Sequence, residues 1–329
     1  MFTRRTFLKY TGATTLTLFA TGIRGLRRAI AEALPGGTLD PASIPKFVTP
    51  LLVPPVMPKA GSHRRARRQR NDATLPDRAS AAGAAGDVNR RGARLVVAAL
   101  AGLASSDAVA EGDFAGHVAA TTDYVFRGVS QTRGAPALQA DVHYEANGGW
   151  FAGLWFSTVD LNPGSGATQE FNVYAGLTRP MATHWDCRLV AVAYVYPNDD
   201  PRLSYDYAEV VASIGWLDRV VASIAWSPNT SRYARSYGGI AADEQALSYE
   251  IVARWPLVEA LSATASAGYY DLSDLFGSGY GYGGAGLSYE RAAWQLDLGW
   301  YVAADYAEEL FGPEVADARW SLTAAWKFR

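Results

Sequence analysis

A period of two, sustained from residue 113 to residue 329, constrains this chain more than any other feature in it. In the last segment Trp320, Leu322, Ala324, Trp326 and Phe328 alternate with Arg319, Ser321, Thr323, Ala325 and Lys327. The segments 294–302, 136–146 and 170–177 do the same, for example Leu138, Ala140, Val142 and Tyr144 against Gln139, Asp141, His143 and Glu145. A strand sends successive side chains to opposite faces, so each segment has one apolar and one polar face. The pattern predicts strands near 114–127, 136–146, 149–159, 168–178, 184–196, 205–216, 219–227, 247–256, 259–270, 282–290, 293–303 and 318–328. Most have the ~9–11 residues that a tilted strand needs to cross a bilayer. Twelve is an even number, as in single-chain bacterial barrels.

The connections sort themselves. If the N-terminus is periplasmic, every second turn is short: Asn147-Gly148, 179–183, Leu217-Asp218, Leu257-Val258 and Arg291-Ala292. The others are long and polar: 128–135, 160–167, 197–204, 228–246, 271–281 and 304–317. Short periplasmic turns and long external loops mark an outer-membrane barrel. Trp150, Trp185, Trp216, Trp226, Trp255, Trp294, Trp320 and Trp326 fall near strand ends, where they suit interfacial girdles. No apolar run long enough for a membrane helix follows residue 111. The fold predicted is all-β: a transmembrane, antiparallel, up-and-down barrel of about twelve strands over 111–329.

What precedes it is different polypeptide. Residues 1–110 carry 17 Lys and Arg against 6 Asp and Glu; residues 111–329 carry 13 against 26, and all 10 Trp. Thr3-Arg4-Arg5-Thr6-Phe7-Leu8-Lys9 is a twin-arginine export pattern within a first segment, 1–60. Residues 61–87 are basic and without apolar period, a disordered linker in composition and not a nucleic-acid site, since stacking aromatics are missing. Residues 88–110 read as a secretory signal peptide. Arg90-Arg91-Gly92-Ala93-Arg94 is followed by the apolar run 95–104 and by Ala108-Val109-Ala110, a cleavage site through Ala108 and Ala110. Two export signals in series conflict, because barrel strands travel unfolded whereas twin-arginine cargo is folded. A start at Val88 would leave the compact presequence alone.

The polar phase of the strands supplies the lumen-lining candidates. These are Asp123, Asp141, Glu145, Glu170, Glu209, Glu250 and Asp297 on the acidic side, with Arg127, Arg188, Arg254 and Arg319 on the basic side. Seven acids against four bases favour cations if the lumen is open, because rings of one sign tune a pore. Pairing of the same charges across a narrow lumen would instead plug it. An enzyme is the second class, since some outer-membrane barrels act on lipid. His117, His143 and His184 have no neighbouring Ser in a nucleophile motif, and His143 between Asp141 and Glu145 suits a salt bridge. A soluble sandwich or an adhesin is the third class. The scattered histidines and the lone Cys187 point to no metal site and no cofactor.

Thr122-Asp123-Tyr124-Val125-Phe126-Arg127-Gly128-Val129-Ser130-Gln131-Thr132 resembles the opening strand of the TorF family of porins. Trp150-Phe151-Ala152-Gly153-Leu154-Trp155 and Phe171-Asn172-Val173-Tyr174-Ala175-Gly176 are similar to later strands of that family, and the likeness spans 113–329. It implies a porin-like channel in the cell outer membrane passing small solutes or ions. Its other partners would be outer-membrane lipid and the assembly machinery, which reads a terminal aromatic. Here Phe328 is followed by Arg329. Pro35 to Pro41 and Pro54-Pro55-Val56-Met57-Pro58 resemble the N-terminal segment of bacterial multicopper oxidases. The His-X-His pairs that would carry copper are missing, so no copper chemistry is implied.

Overall fold

Alternating side chains need two solvents or a core, and here the chain meets the requirement by closing on itself. The computed structural model describes residues 112–161, 167–197, 205–217, 219–230 and 244–329. The expectations placed on residues 1–110, including both export signals, the linker and the cleavage site at Ala108 and Ala110, lie outside the described residues.

The strands are β1 (Gly112–Thr121), β2 (Val125–Phe126), β3 (Val129–Ser130), β4 (Ala137–Ala146), β5 (Trp150–Thr158), β6 (Gln169–Ala182), β7 (Trp185–Val195), β8 (Tyr207–Trp216), β9 (Val220–Ser227), β10 (Ala246–Val258), β11 (Leu261–Asp271), β12 (Tyr280–Arg291), β13 (Trp294–Ala303) and β14 (Arg319–Phe328). Three short helices, α1 (Ser273–Phe276), α2 (Asp305–Phe311) and α3 (Pro313–Ala316), sit in two of the connections. All but β2 and β3 form one closed antiparallel barrel of twelve strands, in which each pairs with its sequence neighbours. Closure is made by β1 on β14, with Gly116 opposite Phe328 and Thr121 opposite Thr323. It leaves no edge, so the backbone of every strand is paired on both sides.

Both ends of the described chain and all the tight turns lie at one end of the barrel; the long connections lie at the other. The turn end holds the links β4–β5, β6–β7, β8–β9, β10–β11 and β12–β13. Gly149, His184, Leu217 and Ala292 take positive φ there, as tight hairpin turns require. β6 and β10 run further toward this end than the apolar period predicts, so the turns expected at 179–183 and Leu257-Val258 move to 183–184 and 259–260. Each extension passes a proline, Pro180 or Pro256, with a register shift beside it.

The outer surface is apolar. Phe114, Leu138, Leu154, Phe171, Leu189, Ile214, Ile224, Ile251, Leu287, Leu298 and Leu322 are all exposed. Leu138 is 61% accessible while Asp141, on the other phase of the same strand, is 4%. Removing one such side chain from water contributes about 1.5–3 kcal/mol, and a soluble barrel does not leave a continuous belt of them outside. This is the exterior of a membrane-spanning barrel. Tryptophans mark its rims: Trp185 pairs Trp216 and Trp294 pairs Trp326 at the turn end, and Trp320 lies at the loop end.

One strand differs from its expected form. The alternation predicts a first strand over 114–127, but β1 ends at Thr121. Residues 123–132 leave the wall and fold inward, carrying the two-residue strands β2 and β3. Asp123 and Arg127 therefore reach the interior from a loop. The helices α1, α2 and α3 were not legible as periodic segments, being one to two turns long.

Candidate functional site

The inward loop is the most densely tied segment of the interior. Tyr124, Val129, Ser130, Gln131 and Thr132 are all buried. The Gln131 N–H donates to the Tyr124 carbonyl at 2.6 Å, and the Asp160 N–H donates to the Gln131 carbonyl at 2.8 Å. Asp123 organises the first turn. Its Oδ1 accepts from Ser130 Oγ at 2.5 Å and Thr132 Oγ1 at 2.9 Å, and its Oδ2 accepts from Arg319 Nη1 at 3.0 Å. Arg319 Nε and Nη2 also donate to the Asp317 and Glu314 carbonyls, joining this loop to the β13–β14 connection.

At the tip, Arg127 and Gly128 take φ of 46° and 78°. A Cβ on Gly128 would come within 2.6 Å of the Val302 carbonyl oxygen, so only glycine fits so close to the wall. Arg127 has no such licence. It is held in the left-handed region by what its side chain reaches: Nη1 and Nη2 donate to the two oxygens of Glu209 on β8, at 3.1 and 3.3 Å. Its guanidinium carbon lies 4.3 Å from the ring centre of Tyr270 on β11 and 4.4 Å from that of Phe126. Tyr194 on β7 donates its hydroxyl to Glu209 Oε2 at 3.2 Å.

Tyrosines fill the lumen around this pair. Tyr194, Tyr196, Tyr205, Tyr207, Tyr270 and Tyr280 are buried, with Tyr194 and Tyr207 stacked at 4.2 Å. Above them α2 and α3 bury Phe311 and Val315, and the Phe311 ring meets Tyr280 edge-on at 5.7 Å. Tyr124 packs on Trp155 of β5, whose ring points inward.

The turn-end half of the lumen is built differently. Many inward positions on β8 to β13 are small; Ser213, Ser223, Thr264, Ser266 and Gly284 are half-exposed, while Ser262, Ser288 and Gly299 are buried. Aromatic rings lie flat against glycines of the wall. A Cβ on Gly299 would come within 2.6 Å of the Tyr301 ring, and one on Gly176 within 2.5 Å of Phe151.

The remaining sequence candidates distribute between these halves. Glu170 is fully buried near the loop end; Asn172 Nδ2 donates to its Oε1 at 2.8 Å, and Oε2 accepts no hydrogen bond among the described residues. Asp141 accepts from the Tyr174 hydroxyl at 2.6 Å and lies 2.5 Å from His143 Nδ1, while Glu145 lies 3.8 Å from Nε2 of the same ring. Arg188 stacks over Phe151 at 4.3 Å. Arg254 donates to Glu290 Oε2 at 3.2 Å, and Lys327 donates to Oε1 at 2.6 Å. Asp297 accepts from Gln295 Nε2 at 2.7 Å, and Glu250 is close enough to Arg127 to feel its charge. Among the described residues no group of three or more His, Cys, Asp or Glu is placed to hold a metal.

Charge alone guided the sequence candidates, and it missed the tyrosines. Their signal was present. Tyr194-Val195-Tyr196, Tyr205-Asp206-Tyr207 and Tyr280-Gly281-Tyr282 each put two rings on one face at period two, all next to long connections.

A family model described as "Bacterial protein of unknown function (Gcw_chp)" matches residues 105–328, which takes in every strand and the whole inward loop. The chain belongs to the Gcw_chp family. No curated protein matches it. Among solved structures this Gcw_chp barrel is similar to a KdgM porin, at 7% identity and a TM-score of 0.41, covering 66% of this chain and 100% of that one. It is similar to a NanC porin at 9% and 0.45, covering 65% and 99%, and to OprD of Pseudomonas aeruginosa at 12% and 0.31, covering 59% of each. The closed Gcw_chp barrel stands on its own strand pairing and takes nothing from these remote likenesses.

Proposed function

We propose that this chain is an outer-membrane channel of porin type for passive diffusion of small solutes or ions, with the first external loop forming its constriction. The observation that carries this is the contrast between a continuous apolar exterior and an interior lined by charged and small polar side chains, half-exposed to water at the turn end. The turn end is then periplasmic and the loop end external, with Phe328, on the last strand, the residue that the assembly machinery reads. The likeness of the opening segment to TorF porins supports the same reading, as does the signal peptide expected at 88–110.

Lumen charge favours cations. Arg127 with Glu209, Arg319 with Asp123, and Arg254 and Lys327 with Glu290 are paired. Glu170, Glu250 and Asp297 have no basic partner at ion-pair distance among the described residues. Low-dielectric walls focus the field of such charges, and salt screens it, with a Debye length falling from about 30 Å at 0.01 M to about 3 Å at 1 M. Reversal potentials in planar bilayers across a salt gradient test this. Cation preference should be larger in dilute salt, and Glu250→Gln should reduce it. Anion preference would show that other groups line the constriction. Absence of conductance in well-folded protein would favour a plugged structural barrel.

A further inference from the structure

The side chain at the centre of the constriction occupies something that looks built for it, and almost none of that something belongs to the loop. Of the groups around the Arg127 guanidinium, Phe126 alone is a loop residue. Glu209 is on β8 and Tyr270 on β11, and Tyr194, which donates to Glu209, is on β7. These three residues belong to three strands of the wall and not to the loop. Glu209 is aimed without help from its partner, since the Tyr194 hydroxyl donates to its Oε2 and the Tyr194 ring stacks on Tyr207. Arg127 bears a φ of 46° to put its guanidinium there, a conformation that non-glycine residues keep only when other contacts hold it.

We propose that this wall cage is a binding site for guanidinium-bearing solutes, and that Arg127 occupies it as an internal stand-in when the channel is closed. The geometry selects the class. Two carboxylate oxygens each take one N–H, at 3.1 and 3.3 Å, which needs the planar fork of a guanidinium. The Tyr270 ring centre at 4.3 Å takes the flat face of the same group. A sodium ion or an ammonium would use the carboxylate and little of the ring stack. With Arg127 absent the cage keeps Glu209, so it draws cations. A solute arriving from outside would exchange with Arg127 one for one, leaving the charge of the cage unchanged, and would free the loop tip. The inference rests on the channel reading only for the route of arrival; the site itself is a matter of binding.

Chemical rescue tests it. The full chain carrying Arg127→Ala is purified in detergent, and its unfolding midpoint is followed by the heat-modifiable gel shift. Methylguanidinium chloride is added against methylammonium and sodium chloride at equal ionic strength. Arg127→Ala should melt below the parent protein and be re-stabilised saturably by methylguanidinium, with methylammonium about tenfold weaker or worse, as loss of one charge-assisted hydrogen bond implies. In the parent protein the ligand must displace Arg127, so methylguanidinium should act only at a higher concentration than in Arg127→Ala, and methylammonium should not act. In Arg127→Ala with Glu209→Gln the rescue should weaken at least about tenfold. If Arg127→Ala fails to fold, Arg127→Gly, which suits the φ of 46° and leaves the cage equally empty, is held to the same outcomes. Equal effects of methylguanidinium and sodium, or rescue that survives Glu209→Gln, would overturn the proposal. Rescue intact in a preparation that never conducts would support the site and remove the channel.

Discussion

The two halves of the lumen are enclosed by the same twelve strands, yet one is a packed core and the other a lined space. At the loop end, tyrosines, Trp155 and the inward segment 123–132 pack together, and charged groups such as Arg127 and Glu209 are almost wholly buried. At the turn end, small side chains hold much of the same phase of the strands, and several, such as Ser213, Thr264 and Ser266, are half-exposed. The barrel wall therefore does not decide whether the bore is open; the side chains and one loop do. A barrier built on a loop can be changed without disturbing the wall.

The contrast predicts unequal costs for similar substitutions. Glu209→Ala should destabilise the barrel by about 3–5 kcal/mol, because it strands a buried guanidinium. Asp297→Ala, in the lined half, loses one part-buried contact and should cost no more than about 1.5 kcal/mol. Urea unfolding in lipid or detergent measures both, and equal effects would mean that the halves are not distinct. The exterior should ignore the division. Leu298→Arg should cost about 2–4 kcal/mol at mid-bilayer, far more than Asp297→Arg one residue away, and equal tolerance would refute the assigned phase.

How far the sequence carries these contrasts depends on what the period of two can report. It places all twelve wall strands, the inside and outside of each, and the sorting of short turns from long loops. It cannot report where a strand stops if the next residues also alternate. Tyr124, Val125 and Phe126 continue the pattern after the chain has turned inward at Thr122 and Asp123. The clue was length, since fourteen residues exceed the ~9–11 of a crossing strand. Asp123 followed by Ser130 and Thr132 also carried the polar groups of a closed turn. Among site residues, polar alternation names charges on the polar phase of the strands and puts Asp123 and Arg127 in a strand, where the structure has a loop. That Arg127 would meet Glu209, eighty-two positions away, is set by barrel closure and strand order, which local pattern does not encode.

Smaller effects sharpen the picture of the lined half. Gly299→Ala should push the Tyr301 ring off the wall and cost about 1–3 kcal/mol by overpacking. Gly281→Ala, whose Cβ would meet nothing nearer than 3.9 Å, should stay within about 0.5 kcal/mol. Thermal unfolding distinguishes them. In a Cys187→Ala background, a cysteine at Ser266 should react with a small membrane-impermeant thiol reagent admitted from the turn end, and one at Ser227, fully buried, should not. Equal labelling would show water throughout the bore.

Single-channel conductance of the parent protein against a variant with residues 123–134 replaced by a short glycine-serine link measures the barrier itself. A barrier held by the first loop predicts low or intermittent conductance in the parent and a larger, steadier one in the variant, with both barrels equally heat-modifiable. Indistinguishable conductance in two well-folded barrels would contradict it, and would place the barrier in the tyrosines of the wall or in the connection between β13 and β14.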